Sequence, residues 1–208
     1  MCEIDIRIMC VPEQLDNVKR INEILKVPEE KIFIDTAHAG VIPNAKKAWL
    51  APTDKDYIMV LNDDLIFCNG FLDICNKIIK AVPNSIISLF PMQFQSRETI
   101  RSGGKPTISP YVETDILSGV GIIMPTKYVK PCIESWLPDA ICDDTSISLW
   151  AKKNNIPIIT TLPATIQHIG DRSFFNPGRP PIMTEFFEGI PEANWDNPYV
   201  TSWTNLIR

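Results

Sequence analysis

Through the first ninety residues short apolar runs alternate with segments of helical apolar spacing, and this order confines the chain to an α/β fold with a mainly parallel central sheet. The run 4–11 is apolar and rich in β-branched residues and stops at Pro12, which predicts a buried strand. Over 13–27, Leu15, Val18, Ile21 and Leu25 fall on one helical face, and Pro28 ends the segment. A second strand over 31–35 completes a strand–helix–strand unit, which sets its two strands parallel. The same alternation continues with a short helix over 44–50 behind Gly40 and Pro43, a strand over 57–61, a helix over 71–82 and a strand over 86–89.

The chain has 208 residues, enough for a single well-buried domain with a cleft. With 45% hydrophobic and 22% charged residues it reads as an ordinary soluble globular protein, which excludes disordered and fibrous classes. Twenty basic against 25 acidic residues give a net charge of −5, so attachment to nucleic acid through a general basic coat is disfavoured, while a local basic groove stays open. The start Met1-Cys2-Glu3-Ile4-Asp5 lacks a basic leader region, and no segment approaches ~20 uninterrupted apolar residues. The expectation is a cytoplasmic protein without membrane insertion. Six cysteines without a Cys-x-x-Cys pair argue against a zinc knuckle and a disulfide scaffold, and read as thiols.

Beyond Pro91 the pattern changes. Residues 93–111 are polar, carry Arg97, Arg101 and Lys105, and contain the turn Ser102-Gly103-Gly104, as a loop or hairpin would. An apolar strand is predicted over 115–124, where Gly119 and Gly121 suit close approach by a ligand or another backbone. A helix over 143–153 starts at Asp143-Asp144, and short strands follow over 156–161 and 164–168. The tail after Ser173, rich in proline, glycine and aromatic residues, is expected to wrap the domain. The expected organisation is a ligand-binding half over 1–92, a second half over 93–173 and the wrapping tail over 174–208.

The residues with most chemistry stand where the apolar run 57–61 breaks into Asn62-Asp63-Asp64. Carboxylates at the carboxyl end of a buried strand suit Mg²⁺ or Mn²⁺, ions that commonly bridge a protein to a phosphorylated ligand, and ligands of open α/β sheets bind at that edge. Taken alone, an Asn-Asp-Asp triplet is also a favoured turn.

From Ile4 to about Ser173 the sequence resembles the nucleotide-sugar glycosyltransferases of GT-A type, in particular the family 2 group. In the resemblance Val11 and Pro12 end the first strand at the nucleotide, Asp35 faces the base, and Gly40 with Ala45-Lys46 stands for the family's Gly-(x)n-Ala-Arg-Asn stretch, lysine replacing arginine. Asn62-Asp63-Asp64 stands for the Asp-x-Asp motif, with Asp64 as the metal ligand and Asn62 departing from the first aspartate, which leaves Asp63 for the ribose contact. Leu117-Ser118-Gly119-Val120-Gly121 resembles the glycine-bearing strand beside the acceptor. Asp143-Asp144 resembles the Glu-Asp pair at a helix start, with Asp144 as the catalytic base of inverting members, and His168 resembles the late histidine that completes the metal shell.

The resemblance implies a metal-dependent, inverting transfer of a sugar from a nucleoside-diphosphate donor, UDP-sugar favoured, to an acceptor hydroxyl. The cation, Mn²⁺ or Mg²⁺, would stabilise the departing diphosphate, and a carboxylate on the opposite face would take the acceptor's proton. Lys46, Lys47 and Arg172 are candidates for the pyrophosphate. The short chain also resembles virus-encoded transferases that decorate modified DNA, which would place it in a host cytoplasm. The acceptor is then a saccharide or a hydroxymethylated DNA base. Arg97, Arg101, Lys105, Lys127 and Lys130 are candidates for one wall of its groove, and Trp136 or Phe174 for stacking. Two alternatives share the fold class: a nucleotidyltransferase, disfavoured because Val11-Pro12-Glu13-Gln14 is no glycine-rich phosphate loop, and a non-catalytic glycan- or nucleic-acid-binding protein.

Overall fold

The computed structural model describes residues 3–91, 110–169, 194–198 and 200–202. β1 (Ile4–Cys10) runs into a tight turn opened by Pro12 and then α1 (Leu15–Leu25). Lys26 ends that helix in the left-handed region, at φ 54°. α1 buries Val18, Ile21 and Leu25, whereas Leu15, read as part of the same face, lies 37% exposed because it occupies the first helical position, at the rim of the packed surface. β2 (Ile32–Ile34), α2 (Val41–Leu50), β3 (Tyr57–Asn62), β4 (Leu65–Phe67), α3 (Phe71–Ala81) and β5 (Ile86–Ser88) complete the first half. The second brings β6 (Tyr111–Thr114), β7 (Gly121–Pro125), α4 (Thr126–Glu134), α5 (Asp143–Lys153), β8 (Ile158–Thr161) and β9 (Ile166–His168), and β10 (Val200–Ser202) comes from the tail.

Eight strands form one sheet in the order β10-β6-β8-β5-β7-β3-β1-β2. β1 pairs in parallel with β2 and β3, β5 with β8, and β6 with β10. β7 is antiparallel to both β3 and β5, and β6 is antiparallel to β8. The architecture is thus α/β with a mainly parallel sheet. β7, from the second half, lies between β3 and β5 of the first, so one sheet unites both halves.

Alternation along β3 decides what each face of the sheet buries. Tyr57, Met59 and Leu61 pack with Val18 and Ile21 of α1 and Cys75, Ile78 and Ile79 of α3. Ile58 and Val60 pack on the opposite face with Ala45, Ala48 and Trp49 of α2, Cys132 and Ile133 of α4, and Ile147 and Ala151 of α5. Arg7, fully buried, locks α2 in place: its guanidinium donates to the carbonyls of Ala48, Trp49 and Ala51 at the end of that helix and pairs with Asp5 at 2.6 Å. Cys10, Cys68, Cys75, Cys132 and Cys142 are free, and burial pushes the Cys10 and Cys132 thiols up to about 12, which keeps both protonated.

Three elements differ from the sequence reading. The strand expected over 115–124 begins only at Gly121, because the amides of residues 117–119 bond to side chains instead of a strand partner. Tyr111, read as the end of a polar loop, opens β6. The tail contributes β10 and Trp195, whose ring stands edge-on to Tyr111. Arg97, Arg101, Lys105, Arg172 and Phe174 lie outside the described residues.

Candidate functional site

β1 and β3 run parallel with Met9 opposite Asn62, so the chain leaving β1 stands beside the carboxylates leaving β3. The Val11 amide donates to Asp63 Oδ2 at 3.1 Å. Burial, followed by the negative charge of Asp64, pushes the Asp63 carboxyl up to about 7, against the pull of the Val11 amide. The backbone amide of Asn62 donates to the carbonyl of Val120 at 3.2 Å, which ties the end of β3 to the lead-in of β7.

Asp64 and His168, remote in sequence, meet through a small ribbon. β4 and β9 pair antiparallel with Leu65 opposite His168, and the Ile169 amide donates to the Asp64 carbonyl at 2.9 Å. His168 Nε2 lies 2.7 Å from Asp64 Oδ2, with the two side chains 18% and 14% exposed. The other two polar atoms of the pair, Asp64 Oδ1 and His168 Nδ1, are buried and have no hydrogen-bond partner among the described residues. Unpartnered buried acceptors are costly unless something else satisfies them. A carboxylate oxygen beside an imidazole nitrogen suits a divalent cation such as Mn²⁺. No group of three metal-ligating side chains forms among the described residues.

A second carboxylate pair opens α5. Asp144 Oδ2 accepts from the Gly119 amide at 3.3 Å and Oδ1 accepts from the Thr145 amide at 2.6 Å, while the helix N-terminus favours the negative charge. A Cβ on residue 119 would lie 3.3 Å from both Asp143 Oδ1 and Asp144 Cβ, a tight fit that the glycine avoids. Asp143 is 4% exposed, its Oδ1 accepts from the Asp144 amide at 2.9 Å, and its Oδ2 has no partner among the described residues. Burial and then the Asp144 charge push the Asp143 carboxyl up to about 7. From Asp144 through Gly119 and Val120 to Asn62, a run of covalent and hydrogen bonds links this pair to the strand end that carries Asp63 and Asp64.

The other sequence candidates sit around this edge in different ways. Asp35 directs both carboxylate oxygens at its own loop, accepting from the amides of Ala39 at 3.0 Å and Gly40 at 2.8 Å. Those bonds, the Ala39 one foremost, hold its carboxyl below the usual range. Gly40, at φ 100°, is the residue before α2, a conformation that favours glycine, and Lys46 is half-buried on that helix. Pro12 opens the turn after Val11. Gly121 serves packing: a Cβ there would meet Ile166 Cδ1 at 2.5 Å and Leu61 Cδ2 at 3.2 Å. Trp136 is 6% exposed and packs in the core below α4 and α5, which leaves little of its ring for a ligand. Arg101 lies outside the described residues.

Sequence reasoning missed Ser148, Ser88 and a His38–Glu13 contact of 3.4 Å that bridges the loops after β2 and β1. Ser148 stands four residues after Asp144, a helical spacing that could have singled it out.

No protein-family model and no curated protein sequence matches the chain. Among solved structures, it is similar to a mutant of a Drosophila β-1,4-galactosyltransferase 7 in complex with manganese, UDP-Gal and xylobiose, with a TM-score of 0.44 and 11% identity over 79% of this chain and 71% of that one. It is also similar to A197 from STIV, with a TM-score of 0.45 and 13% identity over 86% of this chain and 93% of that one. At these scores neither likeness assigns an activity, and the functional reading rests on the residues themselves.

Proposed function

We propose that the protein is a metal-dependent, inverting glycosyltransferase that moves a sugar from a nucleoside-diphosphate donor, UDP-sugar favoured, to an acceptor hydroxyl. The observation that carries the reading is the Asp64–His168 pair, 2.7 Å apart at the carboxyl edge of the sheet, with Asp64 Oδ1 and His168 Nδ1 buried and unpartnered among the described residues. It is the pair that the sequence resemblance assigns to the metal.

In this reading Asp64 and His168 would hold Mn²⁺ or Mg²⁺, which would supply Lewis-acid stabilisation of the charge on the departing diphosphate. Asp63 holds the Val11 amide and so fixes the strand end against which the nucleotide lies, with Asn62, Asp35, Gly40 and Lys46 around it. Asp144, half-buried and oriented by the Gly119 amide, accepts the proton of the attacking hydroxyl. One displacement with one base inverts the anomeric centre. The net charge of −5 favours a saccharide over DNA as the acceptor.

A panel of nucleotide sugars with Mn²⁺ or Mg²⁺, read by release of nucleoside diphosphate and by the anomeric configuration of the product, tests the proposal. Metal-dependent release from one donor is the expected result. No release from any donor, with and without saccharide or hydroxymethylated-DNA acceptors, would refute it.

A further inference from the structure

Three successive backbone amides in the turn before β7 donate to side chains. Leu117 N–H donates to Ser148 Oγ at 3.1 Å, Ser118 N–H to Ser88 Oγ at 3.4 Å and Gly119 N–H to Asp144 Oδ2 at 3.3 Å. Two of the acceptors stand one helical turn apart on α5, and the third ends β5. Each serine hydroxyl also donates onward, Ser148 to the Asp144 carbonyl at 2.7 Å and Ser88 to the Phe90 carbonyl at 3.0 Å. With its proton committed to that carbonyl, each oxygen is left to accept from the turn. Ser88 is 1% exposed and Ser118 is 5% exposed, so water is a poor substitute at that anchor.

We infer that Ser148, assisted by Ser88, is a positioning residue that clamps the 117–119 turn so that the Gly119 amide aims the Asp144 carboxylate. The inference rests on the proposed role of Asp144 and adds to it a cause for the carboxylate's orientation. Ser148 touches both partners of the Gly119–Asp144 bond at their roots: it holds the turn two residues before Gly119 and the main chain of Asp144 itself. Without its hydroxyl, only the Gly119 bond remains among the described hydrogen bonds that join the turn to α5, beside the apolar packing of Leu117 in the core it shares with Ile147 and Ala151. Glycine, having no side chain to wedge in place, depends on its neighbours for its orientation.

The test compares Ser148→Ala with Ser148→Thr, which keeps a hydroxyl able to bond to the carbonyl four residues back. In Ser148→Ala, amide hydrogen exchange should rise at least about fivefold at Gly119 as well as at Leu117, and transfer kcat should fall between about 10- and 100-fold with donor binding unchanged. Ser148→Thr should restore both. A merely structural serine would raise exchange at Leu117 alone and leave kcat in place, and that result overturns the inference. So does loss of kcat that the threonine variant fails to rescue while folded. Should Ser148→Ala not fold, Ser88→Ala frees the Ser118 amide of the same turn, and unchanged Gly119 exchange in that variant is likewise a refutation. If the wild type transfers no sugar the glycosyltransferase reading falls, yet exchange at Gly119 still decides whether the clamp exists.

Discussion

Asp143 makes stability depend on pH in a direction opposite to that of a salt-bridged carboxylate. It is 4% exposed, one oxygen has no partner among the described residues, and burial with the neighbouring Asp144 charge pushes its carboxyl up to about 7. In the unfolded chain an aspartate titrates at about 3.9. Between those values the folded protein holds a proton that the unfolded chain has released, so stability falls as pH rises. A gap of about 3 units corresponds to about 4 kcal/mol in all, of which roughly 2.5 kcal/mol falls between pH 5 and pH 8.

Asp143→Asn removes the ionisation and keeps an oxygen for the Asp144 amide. The variant should therefore gain on the wild type as pH rises, by about 2 to 3 kcal/mol from pH 5 to pH 8. Asp63, also pushed up to about 7, is common to both proteins and cancels in the difference. Urea unfolding of both proteins at pH 5, 6, 7 and 8, with unchanged m-values, gives that difference directly. Parallel stability curves over the whole range would refute the argument, because they would mean that Asp143 ionises alike in the folded and unfolded chain.

Four further outcomes follow from named contacts. Asp64→Ala should abolish the metal-linked gain in UDP affinity measured by calorimetry with Mn²⁺, and an unchanged gain would remove Asp64 from the metal site. Asp144→Asn, nearly isosteric at the start of α5, should keep donor binding and lose transfer by at least about 100-fold, measured by nucleoside-diphosphate release at saturating donor. Arg7→Ala should cost about 2 to 4 kcal/mol in urea unfolding, since it strands the carbonyls that end α2 and leaves Asp5 to the Lys31 ammonium at 2.9 Å. Gly121→Ala should cost about 1 to 3 kcal/mol through the clash with Ile166 Cδ1, and adding Ile166→Val, which deletes that methyl, should recover part of the loss.

The parts of this fold legible in the sequence are those whose physics is local. β3 declares itself because five consecutive apolar residues serve two opposite cores, and α1 and α3 because their buried residues recur at helical spacing. β9 falls within the strand read over 164–168, whereas β4 and β10, three residues each, have no sequence signal of their own and exist because a partner strand satisfies their backbone. α4 carries Pro131 in its interior, which reads locally as a break, yet Val129, Cys132 and Ile133 bury enough surface to hold the helix.

The site divides along the same line. That Asp63 and Asp64 stand at a strand's carboxyl end follows from the residues before them, and that Asp144 starts a helix follows from the residues after it. The meeting of Asp64 with His168 has no local signature: it depends on the register of a ribbon formed by two three-residue strands, one on each side of the chain's midpoint. Asp35 shows the converse. A carboxylate after a strand invites a ligand contact, and its position was legible, but each of its oxygens accepts from an amide of its own loop, Ala39 or Gly40. Position relative to a strand is thus written in the flanking sequence, whereas what a carboxylate is free to do depends on which backbone amides the fold turns toward it. Among the described residues no amide reaches the buried Asp64 Oδ1, and that difference from Asp35 is why the proposal puts the cation at Asp64.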